Sequence, residues 1–520
     1  MTRTAAEIGA GLAPAREPRP IVAGERIHIV GAAGAGASAA ALLAGHAGAI
    51  VSGCDAGGPS PYTPALDAAG IVVAWGHDPA HVLHEPRPDR LAVTKALTAV
   101  APDHPELAAS RRVGIPLEAW QQVIADAAAG RRLVAVAGTH GKSTSAGWLV
   151  HVLVAAGLDP SAFVGALLPP ALTGGVAATA RMGRGDAFVV EADEYAGNFA
   201  PYRPSIAILT SAEWDHPDVF ADGEAVVDAF VAWVRRMPDG ATLVANVADP
   251  GVVALLERVR VDAPVRVVAY ALSDGTRDGG GDRQGVAEQY ATDLGPAEAL
   301  IGRLVSADRA GTTLDVTGVG TVDRLTIRLA TAGRHNASNA LAVAGAALAL
   351  GLEPAAIPSG LGSFGGVGRR LERKGDIGGV VVYDDYGHHP TAIRETIGAI
   401  RQREPGRRVW AVYEPLTYHR TAALLGDFAA ALATADAVAI ADIWAGRDPD
   451  TSIASAEGLA AAVARLRPEI PLAAPGPVEA TADWLAGQVR SGDAVLVMGG
   501  GRSYRIGERL LEALEGRAPR

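Results

Sequence analysis

The 520-residue sequence contains a single cysteine, Cys54. One cysteine excludes a disulfide framework and a metal cluster made of cysteines, and it is typical of a reducing compartment. The sequence also lacks an uncharged apolar run of about 20 residues bounded like a membrane span. Its Ala- and Pro-rich start lacks the apolar core of a signal peptide. We therefore expect a cytoplasmic protein without membrane insertion.

Lysine is scarce as well, because nearly all basic residues are arginine and the lysines are Lys95, Lys142 and Lys374. The net charge of −11 argues against a nucleic-acid-binding protein. It leaves room for a local basic pocket that binds an anionic ligand.

The length suggests about three domains. Runs typical of β-strands alternate with helical stretches almost throughout, which indicates an α/β architecture with parallel sheets. We divide the chain into a flexible tail (1–24), a first α/β domain (25–130), a central domain (131–362) and a third α/β domain (363–520).

Two segments of the central domain depart from this alternation. Residues 300–330 contain three β-like runs without helices between them, which predicts extra antiparallel strands. The loop "SDGTRDGGGDRQG" (273–285) is too polar and glycine-rich for a core, so we expect it to be exposed and mobile.

The stretch "GTHGKST" (138–144) carries the clearest chemistry, because it joins the apolar run "RLVAVA" to a helical segment. A glycine turn between strand and helix directs backbone N–H groups at phosphates, and the helix N-terminus adds partial positive charge. Lys142 can reach the β- and γ-phosphates, and Ser143 or Thr144 can help to hold Mg²⁺. The alternative is an ordinary glycine turn. The predicted nucleotide contacts are Gly138, Thr139, His140, Gly141, Lys142, Ser143 and Thr144.

Two acidic segments follow later strands. In "EADEYAGNF" (191–199), Glu191 is a candidate Mg²⁺ ligand, because hard cations prefer carboxylate oxygens. In "TSAEWDHPDVF" (210–220), His216 could contact a metal or a phosphate, although imidazole is not the favoured ligand of Mg²⁺. A solvated loop is the alternative for both segments.

Three further segments suggest binding sites. "GRHNASNA" (333–340) places His335, Asn336 and Asn339 at a helix start, where the amides could read an adenine edge or could cap the helix. "YDDYGHHPTAI" (383–393) gathers titratable groups at a strand end. "GAAGAGAS" (31–38), with Asp55 at the end of the next strand, is a glycine-rich turn that could bind a ligand or could serve tight packing.

Taken in order, these segments resemble the Mur ligase family of peptidoglycan synthesis, from roughly residue 25 to 510. The family patterns G-T-H-G-K-[ST]-T, E-A-D-E, D-H, G-R-H-N-x-x-N, G-x-x-R-R and D-D-Y-x-H-H-P all occur here. The resemblance implies a Rossmann-like UDP-binding first domain, a P-loop ATPase-like central domain and a Rossmann-like, amino-acid-binding third domain. It also implies an ATP- and Mg²⁺-dependent ligase, monomeric or homodimeric, that forms an amide through an acyl phosphate.

The resemblance also implies roles for individual residues. Ser143, Glu191 and His216 would contact the metal. ATP would be held by the 138–144 turn and by His335, Asn336, Asn339 and Asp385. The UDP-sugar would face Gly31, Gly34, Gly36, Ser38, Asp55 and Arg370. The incoming amino acid would face Tyr386, His388, His389 and Arg420. Lys142, Glu191, His216, His388 and Arg420 would be catalytic.

The identity of the acceptor depends on finer features. Several sibling ligases use a carbamylated lysine of the central domain. This chain has no lysine between Lys142 and Lys374, and in this respect it resembles the branch of the family that adds L-alanine to UDP-N-acetylmuramate. The segment "EPLTYHRT" (414–421) departs from the family pattern at Glu414 and Leu416. "EADEY" also resembles the murein peptide ligases, which attach a recycled tripeptide. We favour L-alanine. A non-catalytic homologue that binds nucleotide and UDP-sugar is the competing class.

Overall fold

The computed structural model describes residues 2–259, 265–273, 299–318, 324–446, 448 and 450–516. Within them lie three β-sheets, one in each α/β unit. The predicted loop 273–285 lies outside the described residues except for Ser273. In the described part of the chain, no helix combines the length and apolarity that crossing a bilayer requires.

The first sheet is fully parallel, in the order β3-β2-β1-β4-β5. Its strands are β1 Arg26–Val30, β2 Ile50–Asp55, β3 Val72–Trp75, β4 Arg90–Val93 and β5 Leu117–Ala119. The helices are α1 Ala5–Ile8, α2 Ala35–His46, α3 Thr63–Ala68, α4 Ala80–Leu83, α5 Lys95–Val100, α6 Pro105–Val113 and α7 Trp120–Ala127. The glycine turn 31–34 therefore joins the central strand β1 to α2.

The second sheet has the order β15-β14-β13-β12-β11-β10-β6-β9-β7-β8. Its strands are β6 Arg132–Ala137, β7 Ser161–Leu168, β8 Ala178–Arg181, β9 Ala187–Glu191, β10 Ile206–Leu209, β11 Thr242–Asn246, β12 Arg266–Ser273, β13 Ala299–Asp308, β14 Gly311–Thr317 and β15 Leu325–Leu329. The helices are α8 Lys142–Ala155, α9 Pro170–Thr173, α10 Gly223–Val234, α11 Pro250–Val259, α12 Arg334–Ala349 and α13 Ile357–Gly362. The predicted extra antiparallel strands are confirmed, since β13 pairs with β14 and β14 with β15 in that sense.

The third sheet has the order β16-β17-β21-β18-β19-β20, antiparallel only between β16 and β17. Its strands are β16 Glu372–Ile377, β17 Val380–Asp385, β18 Arg408–Glu414, β19 Ala437–Ala441, β20 Leu472–Gly476 and β21 Asp493–Gly499. The helices are α14 Pro390–Arg403, α15 Tyr418–Ala423, α16 Leu425–Leu432, α17 Ala456–Leu466, α18 Val478–Gln488 and α19 Tyr504–Glu515.

The N-terminal segment differs from the expected flexible tail. Thr4 caps the short helix α1, and Ile8 is buried against Tyr195 of the second unit. Arg16 pairs with Glu118 at 2.8 Å and with Asp126 at 2.7 Å. The Ala- and Pro-rich composition gave no sign of these contacts, because their partners lie roughly 100 or more residues away in the chain.

The sheet topology gathers the candidate segments at one place. The strand β6 lies between β9 and β10 in the second sheet, and all three are parallel. The turn 138–141, Glu191 and the 210–216 segment therefore leave the same edge of the sheet, where α/β proteins bind ligands. The carboxyl end of β17 in the third unit faces this edge, because His389 contacts Trp214.

Candidate active site

The turn after β6 has the backbone that a phosphate-binding loop requires. Gly138 and Gly141 have φ angles of 127° and 78°, which disfavour side chains. Helix α8 begins at Lys142, so its first N–H groups open toward the turn. Gly141 also packs against Asn339, since a Cβ there would lie 2.5 Å from Asn339 Oδ1. The glycine thus joins the turn to the start of α12.

We expect Gly141→Ala to weaken ATP binding at least about tenfold, because the added methyl group must push Asn339 or the turn away. The substitution should also lower the free energy of unfolding by about 1–3 kcal/mol through the left-handed backbone and the clash. Calorimetric titration with ATP and chemical unfolding measure the two effects.

Gly157→Ala is the matched control, because Gly157 has φ of 79° and open space around it. It carries the backbone cost without the clash, so its ATP affinity should equal that of the unchanged chain. Equal ATP affinity for both variants would contradict the role given to Gly141.

Lys142 is largely enclosed by its own turn and by the acidic residues that follow β9. Its Nζ donates to Gly138 O at 2.6 Å and to Glu194 Oε2 at 2.9 Å, and its side chain is 13% exposed. Burial would lower the pKa of Lys142, but the carboxylates of Glu194 and Asp193 outweigh it and raise the pKa. The ammonium group is therefore held charged inside the turn.

Glu191 lies beside Ser143 in a set of oxygen ligands. Ser143 Oγ donates to Glu191 Oε1 at 2.9 Å, and the Gly165 N–H donates to Glu191 Oε2 at 2.6 Å. Arg370 of the third unit donates to Ser143 Oγ at 3.0 Å. A carboxylate and a hydroxyl at the mouth of a phosphate-binding turn match the oxygen preference of Mg²⁺. These two residues fit the predicted metal contact.

His216 has a different environment from the one expected of a metal ligand. Arg420 Nη2 donates to His216 Nδ1 across 3.1 Å, and burial lowers the pKa of His216 to about 4. A neutral ring that accepts at Nδ1 carries its proton on Nε2, which faces Glu194 at 3.9 Å. In this arrangement His216 offers a hydrogen-bond donor to the cavity rather than a lone pair.

A cavity of about 360 Å³ contains most of the predicted ATP-binding residues. It extends from His140, Gly141 and Thr144 to the start of α12 and to Asp385. Asn336 donates to Ala332 O at 2.7 Å and accepts from Asn339, so part of each amide is already engaged. The asparagines therefore stabilise the helix start and line the cavity, but neither caps α12, whose N-cap is Gly333 without a side-chain cap hydrogen bond. Their contact with adenine stays a prediction.

Asp385 shapes the third-unit side of this cavity. Its carboxylate accepts from the N–H groups of Leu371 and Gly387, each at 2.7 Å. It therefore fixes the loop that carries Tyr386 and His388.

A second cavity, of about 580 Å³, brings residues of all three units together. Its walls include Gly36, Lys142, Glu191, His216, Arg370, Tyr386, His388, His389 and Arg420. The Nδ1–H group of His388 donates to Tyr386 O across 3.1 Å, because a carbonyl oxygen can only accept. The neutral ring of His388 thus keeps a lone pair on Nε2, as a general base needs.

His389 differs from its neighbour, because both of its ring nitrogens are engaged. Nε2 lies 3.2 Å from Trp214 O, and Nδ1 accepts from the Thr391 N–H at 3.3 Å as the cap of α14. Although His389 lines the cavity, these contacts make it a structural link between the second and third units. Sequence alone did not distinguish the two histidines.

The first-unit turn contributes through its backbone. Asp55 accepts from Ala33 N at 3.0 Å and from Gly57 N at 2.8 Å, which fixes the turn that contains Gly31 and Gly34. Gly36 lies against the Trp120 ring and leaves no space for a side chain. Ser38 differs from the predicted sugar contact, because it is fully buried and bonds Thr179 of the second unit at 3.1 Å.

Three protein-family models match the chain, and each covers the part that contains one of the three sheets. Residues 26–132 match the Mur ligase family catalytic domain, 136–347 the Mur ligase middle domain, and 369–501 the Mur ligase glutamate ligase domain. A protein of Kineococcus radiotolerans named UDP-N-acetylmuramate–L-alanine ligase is 39% identical over 94% of this chain and 96% of that protein. The chain belongs to the Mur ligase family.

Further relatives and solved structures support the same family and fold. The UDP-N-acetylmuramate–L-alanine ligase of Frankia casuarinae is 36% identical over 94% of this chain and 98% of that protein. The structure of the UDP-N-acetylmuramate-alanine ligase of Thermotoga maritima has a TM-score of 0.73 at 24% identity, and covers 94% of this chain and 99% of that chain. A murein peptide ligase of Psychrobacter arcticus has a TM-score of 0.69 at 25% identity, with coverages of 96% and 100%. The predicted family and fold class are confirmed.

The structure of this Mur ligase adds three acidic residues to the predicted site. Glu194 pairs with Lys142, and Asp215 accepts from Arg420 Nε at 2.6 Å. Glu213 lies 3.0 Å from His140 Nε2 and accepts from Thr391 Oγ1 at 2.8 Å. All three lie in the segments 191–199 and 210–220, for which the sequence predicted only Glu191 and His216 as site residues. Their partners come from other segments of the chain.

Proposed function

We propose that this Mur ligase joins L-alanine to the lactyl carboxylate of UDP-N-acetylmuramate at the expense of ATP. The observation that carries the proposal is the 39% identity, over 94% of the chain, to a protein named for this reaction. The cavity in which all three units meet supports it, because ligation requires nucleotide, sugar and amino acid in one place. Cytoplasmic location and a monomeric or homodimeric state stay predictions.

In the first step, a lactyl carboxylate oxygen attacks the γ-phosphorus of ATP, and ADP leaves. Lys142 and the N–H groups at the start of α8 offset the negative charge on the phosphates during transfer. Ser143 and Glu191 would hold Mg²⁺, which supplies further charge neutralisation between the phosphates. Arg370, which reaches Ser143 from the third unit, would orient the carboxylate or the phosphate it receives.

In the second step, the amine of L-alanine attacks the acyl carbon, and the tetrahedral intermediate collapses with loss of phosphate. His388 Nε2, which lies 3.7 Å from Asp215 Oδ2, would take the proton that the amine loses. Arg420 would pair with the alanine carboxylate through Nη1, because its Nε bonds Asp215 and its Nη2 bonds His216. Leu416 and Trp444 give this end of the cavity an apolar wall that suits a methyl side chain.

An isotope experiment tests this sequence of steps. With ¹⁸O in the lactyl carboxylate, the oxygen that attacks phosphorus leaves with the phosphate, so each released phosphate should carry one ¹⁸O atom from the carboxylate. Mass spectrometry of the phosphate measures this transfer. Unlabelled phosphate would indicate ATP hydrolysis by water and would contradict the proposal.

The murein peptide ligase alternative is not favoured, because the relatives with the higher identities are named for L-alanine. The non-catalytic alternative would require the loss of the turn lysine or of a metal carboxylate. Lys142 and Glu191 are both present and face the same cavity.

We expect Glu191→Gln to raise the Mg²⁺ concentration that gives half-maximal rate at least about tenfold, because an amide cannot supply the anionic oxygen that the cation prefers. A titration of the ligation rate with Mg²⁺ measures the change. Glu257→Gln, on the exposed face of α11, is the control and should leave the titration unchanged. An unaltered Mg²⁺ dependence in Glu191→Gln would exclude Glu191 as a ligand.

The pH dependence tests His388. Burial and then the charge of Arg420 lower its pKa, although Asp215 opposes them. A base must be unprotonated, and a lowered pKa keeps the ring neutral to lower pH than an ordinary histidine. At saturating L-alanine, kcat should therefore stay constant through the usual histidine range, near pH 6.5, and fall only below it.

His388→Gln should lower kcat by about 10²–10⁴-fold and remove that acid limb, because glutamine can hydrogen-bond but cannot accept the proton. A pH profile of kcat for both proteins is the measurement. If the variant keeps both the rate and the acid limb, another group is the base.

A further inference from the structure

A separate cluster of metal-binding side chains lies in the first unit. It contains His28 on β1, Cys54 on β2, His81 on α4 and Glu106 on α6, with His77 and His104 beside them. None of these residues lines the two cavities of the candidate active site. We call the six residues the first-unit histidine cluster.

The potential ligand atoms of the cluster lie close together. Those of His28, Cys54, His81 and Glu106 all lie within 4.8 Å of one another. Glu106 is central, since one carboxylate oxygen lies 2.6 Å from His81 Nδ1 and the other accepts from Cys54 Sγ at 3.1 Å. These separations allow four ligands to surround one ion after small side-chain movements.

One ring nitrogen in this group is buried and has no partner. His28 is 3% exposed, and within the described residues its Nε2 makes no hydrogen bond. Its Nδ1 lies 2.9 Å from Ser52 Oγ, which orients the ring. A histidine held at one nitrogen and free at the other is the usual arrangement of a metal ligand and its outer partner.

We propose that the first-unit histidine cluster binds one divalent transition-metal ion of the Zn²⁺ type through His28 Nε2, Cys54 Sγ, His81 Nδ1 and a Glu106 oxygen. The Cys54 thiol gives its proton to solvent on binding, and the resulting thiolate ligates the ion. A set of two imidazoles, a thiolate and a carboxylate selects Zn²⁺ over Mg²⁺.

The site is structural, because four protein ligands leave no open position for a substrate. The ion would tie β1 and β2 to α4 and α6. It would also support the glycine turn, because Cys54 O accepts from the N–H groups of Gly31 and Ala32. This role is independent of the proposed ligation chemistry.

Co²⁺ is the probe that tests the site, because it adopts the geometry of Zn²⁺ and has visible spectra. The full-length chain, stripped of metal with a chelator, is titrated with Co²⁺ in excess Mg²⁺. We expect a thiolate-to-Co²⁺ charge-transfer band in the near ultraviolet that saturates at one ion per chain and disappears when Zn²⁺ is added. The band reports this site alone, since the sequence has one cysteine.

Three variants complete the test. Cys54→Ser should abolish the charge-transfer band. His81→Ala should weaken Co²⁺ binding by more than roughly 100-fold, because altering an outer partner alone costs about 10- to 100-fold. His216→Asn, in the separate Asp193–Glu194–His216 group, should leave the band and its affinity unchanged.

The absence of the band in an unchanged chain that unfolds cooperatively would overturn the proposal, and so would equal Co²⁺ affinity in His81→Ala. If Cys54→Ser fails to fold, His81→Ala still decides, because the His81 side chain is 24% exposed and Glu106 keeps its hydrogen bonds from Cys54 and from the N–H of Asp78. The readout requires no ligation, so its failure is distinct from failure of the proposed function.

Discussion

Lys142→Ala is expected to lower the rate of phosphate release about 10³-fold, because no other lysine is available to the turn. The ammonium group lies 2.6 Å from Gly138 O, at the position where the loop would hold the β- and γ-phosphates. Its loss removes charge stabilisation that the transfer step needs. Single-turnover measurement of acyl phosphate formation separates this effect from product release.

The fold of this variant should survive with a moderate loss of stability. Glu194 is 2% exposed and loses its partner, which costs about 1–3 kcal/mol. The cost stays in this range because burial already raises the pKa of Glu194 to about 7, so the carboxyl group can take a proton. Lys374→Ala, which removes a lysine paired with Glu372 far from the turn, should leave the rate unchanged. A rate within a few-fold of the unchanged chain for Lys142→Ala would contradict the nucleotide-binding assignment.

Arg420→Ala is expected to lower the free energy of unfolding by about 3–5 kcal/mol, since it leaves Asp215 as an unpaired buried charge. Asp215 and Arg420 are 4% and 3% exposed, and their atoms lie 2.6 Å apart. The variant should also raise the KM for L-alanine, because the acceptor carboxylate loses its partner. Chemical denaturation and steady-state kinetics measure the two effects.

A double variant separates charge pairing from packing. Asp215→Asn with Arg420→Ala should recover part of the stability, because neither charge is then left unpaired.

The contribution of this ion pair to the free energy of unfolding depends on pH. Burial would raise the pKa of Asp215, but Arg420 holds it well below the ordinary value. The stabilisation is therefore complete above the ordinary aspartate pKa and is lost as the pH falls through the lower folded value. A loss below about 1 kcal/mol in Arg420→Ala would contradict the buried ion pair.

The parts of the fold that sequence predicted are those with local signals. The 138–144 turn was predictable because its glycines, lysine and flanking apolar run are contiguous. The antiparallel strands of 300–330 were predictable because no helical segment separates them. The order of the three domains was predictable only from the family motifs taken together, because no single segment indicates it.

The parts that sequence missed depend on contacts between distant segments. Arg16 reaches Asp126, and Ser38 reaches Thr179 across 141 positions. Nothing next to Lys142 in the sequence indicates its partner Glu194, which lies 52 positions away. His388 and His389 are adjacent in sequence. Only the folded chain shows that both ring nitrogens of His389 are hydrogen-bonded, whereas Nε2 of His388 faces Asp215 across 3.7 Å.

Phosphate release in the presence of ATP, Mg²⁺ and UDP-N-acetylmuramate tests the central claim most directly. The acceptors to compare are L-alanine, L-serine, glycine and L-Ala-γ-D-Glu-diaminopimelate, each with and without the UDP-sugar. We predict release that requires the UDP-sugar and is fastest with L-alanine, because Leu416 and Trp444 form an apolar wall beside Arg420. Release only with the tripeptide would contradict alanine addition, and release with no acceptor dependence would contradict ligation itself.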